Sequence, residues 1–217
     1  KVVIHTEEED NLDVSDLEDV IGSELINNQS EKLQPYHHQW DIAKTLLSNR
    51  RGIAKSATGS GKTYTMAMMC KYLLHKELCN KILIIVPTVD LVVQGQRDYV
   101  NLGWKLSDVG MYFGQVKDED APVTFSTWQS IQNITDPAWF EQFECVIGDE
   151  VHKANSGNPT TKTKSKSSGT VFKQCIDKCT NAIFRFGLTG TLPKARLDTR
   201  TIKGCIGEVL CEYNVKY

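Results

Sequence analysis

Two stretches hold residues whose types and spacing suit phosphate chemistry. The first is Ala57-Thr58-Gly59-Ser60-Gly61-Lys62-Thr63. Glycines at 59 and 61 allow close backbone approach and unusual dihedrals, so successive amides can cradle phosphates. Lys62 can reach the β- and γ-phosphates of a nucleotide, and the Thr63 hydroxyl can hold Mg²⁺. The usual form of such a loop opens with a further glycine; Ser56 and Ala57 stand in that region here. The second stretch is Asp149-Glu150-Val151-His152, which follows the apolar run Cys145-Val146-Ile147-Gly148. Its first carboxylate suits Mg²⁺, directly or through water. Its second suits orienting and deprotonating an attacking water. Taken singly, each has a plainer reading, as a glycine-rich turn without ligand and as a pair of surface acids. Together in one chain they point to a nucleotide site.

The elements that must position these residues follow from apolar pattern. Gly52-Ile53-Ala54 before the loop and 64–69 after it read as strand, tight loop, helix. Residues 33–49 read as a helix with Pro35 as start signal and Trp40, Ala43, Leu46 and Leu47 at helical spacing. Gln39 lies at its front, where an amide that both donates and accepts can read an adenine edge; a surface glutamine is the plain alternative. The run Lys-Ile-Leu-Ile-Ile-Val at 81–86 fits a strand buried on both faces of a parallel sheet. Pro87 and Thr88 end it, and 89–100 reads as a helix capped by Thr88. Further strands are expected at 122–126, 145–148 and 182–186, the last running into Gly187-Leu188-Thr189-Gly190-Thr191. Short helices are expected at 137–143 and 171–179. Residues 155–169 contain no apolar residue and read as a mobile basic loop. Strands alternate with helices, so the fold class is α/β, a mostly parallel sheet with helices on both faces.

The 217 residues suffice for one large domain with an extension. The acidic start, 1–31, reads as a linker or the tail of an upstream module, with Val2-Val3-Ile4 as a strand remnant and 15–26 as a short acidic helix. The body is 32–195. After Pro193 the pattern weakens, and 196–217 reads as the start of a connection to a further domain. Net charge is −2, yet residues 2–31 carry ten acids and no Lys or Arg, while 32–217 carry 24 Lys and Arg against 17 acids. A modestly basic body suits a polyanionic partner; an ordinary surface beside a solvated acidic tail is the alternative. No run of about 18 apolar residues marks a membrane span, and no signal-like start is present. The chain begins at Lys1, as a fragment or processed product would. The seven cysteines include no C-x-x-C pair and no His at ligand spacing. They read as reduced thiols in a cytoplasmic setting rather than a zinc site.

Taken together these stretches resemble the first motor domain of a superfamily 2 helicase. Residues 57–63 match motif I, Asp149-Glu150-Val151-His152 is a DExH box, and Gly187-Leu188-Thr189-Gly190-Thr191 matches motif III. Pro87-Thr88 with Leu91 and Gln94 resembles motif Ia, Thr127 and Gln129 the next DNA-contacting motif, and Gln39 after Pro35 the adenine-reading glutamine. The match covers about residues 33–195. Stretches 81–88, 121–129, 139–143 and 184–190 are similar to phage recombination and fork-remodelling helicases of the UvsW type. The resemblance implies a RecA-like P-loop fold, ATP and Mg²⁺ as cofactors, and an ATP-dependent DNA helicase or translocase. It implies ATP binding by Gln39, Thr58, Gly59, Ser60, Gly61, Lys62 and Thr63. It implies Mg²⁺ held by Thr63 and Asp149, Glu150 as catalytic base, and coupling through His152, Thr189 and Thr191. Thr88, Gln94, Thr127 and Gln129 fall on the implied DNA face. A second motor domain carrying an arginine finger is also implied, and the 26 residues after Thr191 are too few to hold one. This chain alone is therefore expected to hydrolyse ATP poorly. The competing readings are the motor of a restriction complex, an RNA helicase, and a nucleotide-gated nucleic-acid clamp without turnover.

Overall fold

The apolar run at 82–86 sits mid-sheet, because a strand covered on both faces has no polar side to alternate with. In the computed structural model, which describes residues 11–151, 168–192 and 196–213, this run is a strand whose five residues are all buried. Ile82, Ile84 and Val86 enter one hydrophobic core, and Leu83 and Ile85 enter a second on the opposite face. The described strands in chain order are β1 (Arg51–Ser56), β2 (Ile82–Val86), β3 (Val109–Phe113), β4 (Val116–Lys117), β5 (Val123–Thr127), β6 (Cys145–Asp149), β7 (Phe184–Thr189) and β8 (Val209–Tyr213). They form one sheet in the order β4-β3-β5-β2-β6-β7-β1-β8. All neighbouring pairs are parallel except β3 and β4.

Helices α1 (Leu17–Gly22), α2 (His37–Asn49), α3 (Lys62–His75) and α4 (Val89–Asn101) fill the first core. Helices α5 (Trp128–Ile131), α6 (Pro137–Glu141), α7 (Ser168–Lys178) and α8 (Arg196–Ile206) lie on the other face, with Trp128, Phe140, Phe172 and Ile202 in its core. The boundaries have local causes. Thr88 and Thr127 cap α4 and α5 through their hydroxyls, and Asp136 caps α6 just before Pro137. Arg50 ends α2 in a left-handed conformation at φ 59°.

Several segments differ from the sequence reading. Strands β3 and β4 were not expected; Gly110 interrupts the apolar pattern there, and a Cβ on it would lie 2.2 Å from the Asp118 carbonyl. Helix α7 begins at Ser168, inside the stretch read as a loop. Residues 196–213, read as the start of a connection, form α8 and β8 of the same sheet, and β8 pairs in parallel with β1. The described part of the acidic start packs onto the domain: Val14, Leu17, Ile21 and Leu25 are buried in the first core. The reading of 2–4 as a strand remnant and most of the basic loop fall outside the described residues. Among the described residues, no helix is long and apolar enough to cross a membrane.

One consequence positions the site. Strands β6 and β7 come late in the chain but lie between β1 and β2. The C-terminal ends of β5, β2, β6, β7 and β1 therefore stand consecutively along one edge, where open α/β sheets bind ligands.

Candidate nucleotide-binding site

At the end of β1 the chain turns through 57–61 into α3. Gly59 and Gly61 both adopt φ of +81°, and Gly61 is the N-cap of α3. The turn is held from behind. Ser56 and Ser60 share a buried hydroxyl–hydroxyl bond of 2.6 Å. Gln39 Nε2 donates to the carbonyls of Ser60 (3.2 Å) and Gly61 (3.3 Å). His38 Nε2 lies 3.0 Å from the same Ser60 carbonyl. With these carbonyls engaged by α2, the first amides of α3, which have no intrahelical acceptors, are available to an anion. Lys62 Nζ lies 3.5 Å from the Ser56 carbonyl and is nearly buried, its side chain 9% exposed.

The acid pair stands at the end of β6. Asp149 is in register with Leu188 of β7, and Thr189 of β7 with Lys55 of β1. The Glu150 amide donates to Asp149 Oδ1 at 2.9 Å. Glu150 has φ of 49°, a left-handed conformation uncommon for a residue with a side chain. Its carboxylate meets Lys62 Nζ at 3.1 Å through one oxygen and the Gly190 amide at 3.5 Å through the other. One carboxylate thus joins the loops that follow β1, β6 and β7. The loops after β1 and β7 also approach directly: a Cβ on Gly190 would lie 3.4 Å from Thr58 Oγ1. Thr189 is buried, and its hydroxyl donates to the Thr191 carbonyl at 2.6 Å.

The predicted site residues therefore fall into three groups. Thr58, Gly59, Ser60, Gly61, Lys62, Thr63, Asp149, Glu150, Thr189 and Thr191 gather at one end of β1, β6 and β7. Thr63 and Asp149 offer hydroxyl and carboxylate oxygens, the donor chemistry Mg²⁺ takes. Gln39 touches the loop but is 2% exposed, and its Oε1 accepts from the Tyr36 amide at 2.9 Å. Thr88 and Thr127 follow β2 and β5 on the same edge, where Val86 pairs with Thr127. Thr88 is exposed and Thr127 is 2% exposed; Gln129 is exposed, and exposed Gln94 donates to Asp98 at 2.6 Å. His152 lies outside the described residues. Two contacts of the loop were not foreseen, His38 and the carbonyl of Tyr213, which accepts from the Ala57 amide at 3.2 Å. The chain pattern carries no signal for the second, since it depends on where β8 docks.

Comparisons with known proteins agree with this geometry. The family described as type III restriction enzyme, res subunit, matches residues 28–194. The ATP-dependent DNA helicase uvsW of Enterobacteria phage T4 is 31% identical over 211 residues, which are 93% of this chain and 38% of that protein. Two crystal structures of T4 UvsW superpose with TM-scores of 0.77 and 0.78 at 27% identity. They cover 92% and 93% of this chain, and 68% and 40% of theirs. The chain thus spans about two-fifths of the curated relative it matches. Family match, sheet order and the three loops meeting at Glu150 lead to one assignment: the chain belongs to the type III restriction enzyme res-subunit family and has a RecA-like fold similar to that of T4 UvsW.

Proposed function

We propose that this chain is the ATP-binding motor part of an ATP-dependent DNA helicase or translocase, in which hydrolysis drives unwinding, annealing or fork remodelling. The 3.1 Å contact between Lys62 and Glu150 carries the reading, because it joins a phosphate-binding loop to an acid pair. In this reading the amides of the loop and Lys62 Nζ hold the β- and γ-phosphates. Thr63 and Asp149 hold Mg²⁺, which when bound neutralises charge on the phosphate oxygens. The phosphates take Lys62 from Glu150, whose freed carboxylate orients a water and accepts its proton. Gln39 reads adenine by exchanging a bond to Ser60 or Gly61 for one to the base. Thr189, Thr191 and His152 relay nucleotide state to DNA and to a second RecA-like domain; Thr88, Gln94 and Gln129 face the DNA, and buried Thr127 caps the helix that presents Gln129. The similarity to a T4 DNA helicase over nearly the whole chain supports DNA rather than RNA as partner. The cytoplasm is the compartment of this reading, in keeping with seven free thiols.

The test is phosphate release by the full-length protein with and without DNA, beside Glu150→Gln. DNA is expected to raise the rate. The substitution should abolish turnover, by about a hundredfold or more, while ATP binding persists. Phosphate release absent with every DNA and RNA tried would replace the motor with a nucleotide-gated clamp. The isolated chain is expected to turn over slowly, since an arginine finger supplied from elsewhere is worth a factor of about 10³ to 10⁵.

A further inference from the structure

Strand β8 grips the phosphate loop at two points. The Tyr213 carbonyl accepts from the amide of Ala57, the loop's first residue, at 3.2 Å. The Tyr213 ring lies flat on the His38 imidazole, with centroids 3.9 Å and planes 6° apart. That imidazole reaches the Ser60 carbonyl through Nε2 at 3.0 Å. A carbonyl only accepts, so Nε2 carries the proton. The contacts at 57 and 60 bracket the exposed tip, Thr58 and Gly59. Tyr36 also lies near-parallel to His38, but at 5.7 Å, and it is 71% exposed. Tyr213 is therefore the ring that fixes the imidazole. Strand β8 is tied to the end of β1 as well: Ser56 pairs with Tyr213, and Lys55 Nζ lies 2.9 Å from Glu212.

We propose that Tyr213 is a positioning residue for the phosphate loop, acting through His38. The stack holds the imidazole against the Ser60 carbonyl, and the Tyr213 carbonyl holds Ala57, so β8 sets the curvature of 57–60. The inference rests on the reading of this loop as a nucleotide site.

The test is titration of the chain with a fluorescent ADP analogue and Mg²⁺, with thermal melts alongside. Tyr213→Ala is expected to weaken binding roughly three- to tenfold, the worth of one aromatic pair. Tyr213→Phe keeps both ring and carbonyl and should stay within about twofold of the unsubstituted chain. His38→Phe keeps the stack but loses the donor to Ser60 and should weaken binding as His38→Ala does. This gives a measurement even if Tyr213→Ala folds poorly. The double variant Tyr213→Ala/His38→Ala should bind no worse than the weaker single, because the two residues act as a unit. Unchanged affinity in Tyr213→Ala and His38→Phe, or full additivity of the two alanine variants, would overturn the inference alone. No binding by the unsubstituted chain would overturn the nucleotide reading with it.

Discussion

Glu150 holds a left-handed backbone at φ 49°, a conformation that costs an L-residue about 1 kcal/mol or more. The geometry aims its carboxylate at both Lys62 and Gly190, so strain is held where the contacts over-determine it. Gly61 meets the same demand with the residue suited to it. Its φ is +81°, and a Cβ there would lie 2.1 Å from Gln39 Nε2. In Gly61→Ala the Gln39 amide must swing away, breaking its bonds to Ser60 and Gly61. The expected outcome is a stability loss of about 2–4 kcal/mol, about 1–2 from backbone strain and about 1 for each lost bond. Nucleotide affinity should fall by about tenfold or more as the amide cradle shifts. Melting and ADP titration of the variant check both; unaltered affinity would show that the cradle does not depend on Gly61.

The acidic segment behaves as a docked element. Its apolar residues Leu17 and Ile21 are fully buried, and its polar groups meet α3 and α2. Asp16 accepts from the Tyr72 hydroxyl at 2.6 Å and pairs with Lys76 at 2.7 Å. Glu24 pairs with His75 at 2.8 Å, its carbonyl accepts from Lys71 at 2.9 Å, and Glu18 pairs with Lys44. The bonds from Lys76, and then from Tyr72, hold the Asp16 carboxyl below its ordinary value of 3.8. A carboxyl held low in the folded state stabilises above its ordinary value, and that contribution is lost as pH falls through the folded value. Amide exchange across α1 should therefore speed up as pH falls below about 3.8, after correction for the intrinsic pH dependence, before the sheet amides are released. Equal protection of α1 and β2 throughout would mean that the ion pairs do not hold the segment.

Across the whole molecule, one sheet covered on both faces leaves little room for exposed thiols. Six of the seven cysteines are buried and Cys211 is half-buried, and all seven are free. Burial pushes Cys70, Cys179 and Cys205 up to about 12 and Cys175 to about 11. It raises Cys145 and Cys79 as well. The thiolate is the nucleophile, so burial and protonation both suppress reaction. At pH 8 an aromatic disulfide reagent should modify at most one thiol in the native protein, Cys211, and all seven after unfolding. Rapid native reaction of two or more would contradict the packing around both cores.

What the sequence determined by itself rests on relations between near neighbours. Glycines two apart before Lys62 prescribe a loop, an all-apolar run at 82–86 prescribes a central strand, and Thr88 and Asp136 prescribe helix starts; each is a local backbone or burial requirement. The loop at 57–63, the acids at 149 and 150 and the loop at 189–191 could be picked out one by one for that reason. Their meeting on the Glu150 carboxylate depends on β6 and β7 inserting between β1 and β2. The placement of α8 and β8 was not legible either. An edge strand gains its hydrogen bonds and half its burial from a partner far away in the chain, and Val209, Leu210 and Cys211 are only half-buried even when docked. The acidic start misleads for a related reason: its charges dominate composition, whereas the four apolar residues that anchor it acquire meaning only against α2 and α3. Tertiary structure alone decided that β8 and Tyr213 reach the phosphate loop, because stacking and cross-strand bonds arise from distance in space, on which local pattern is silent.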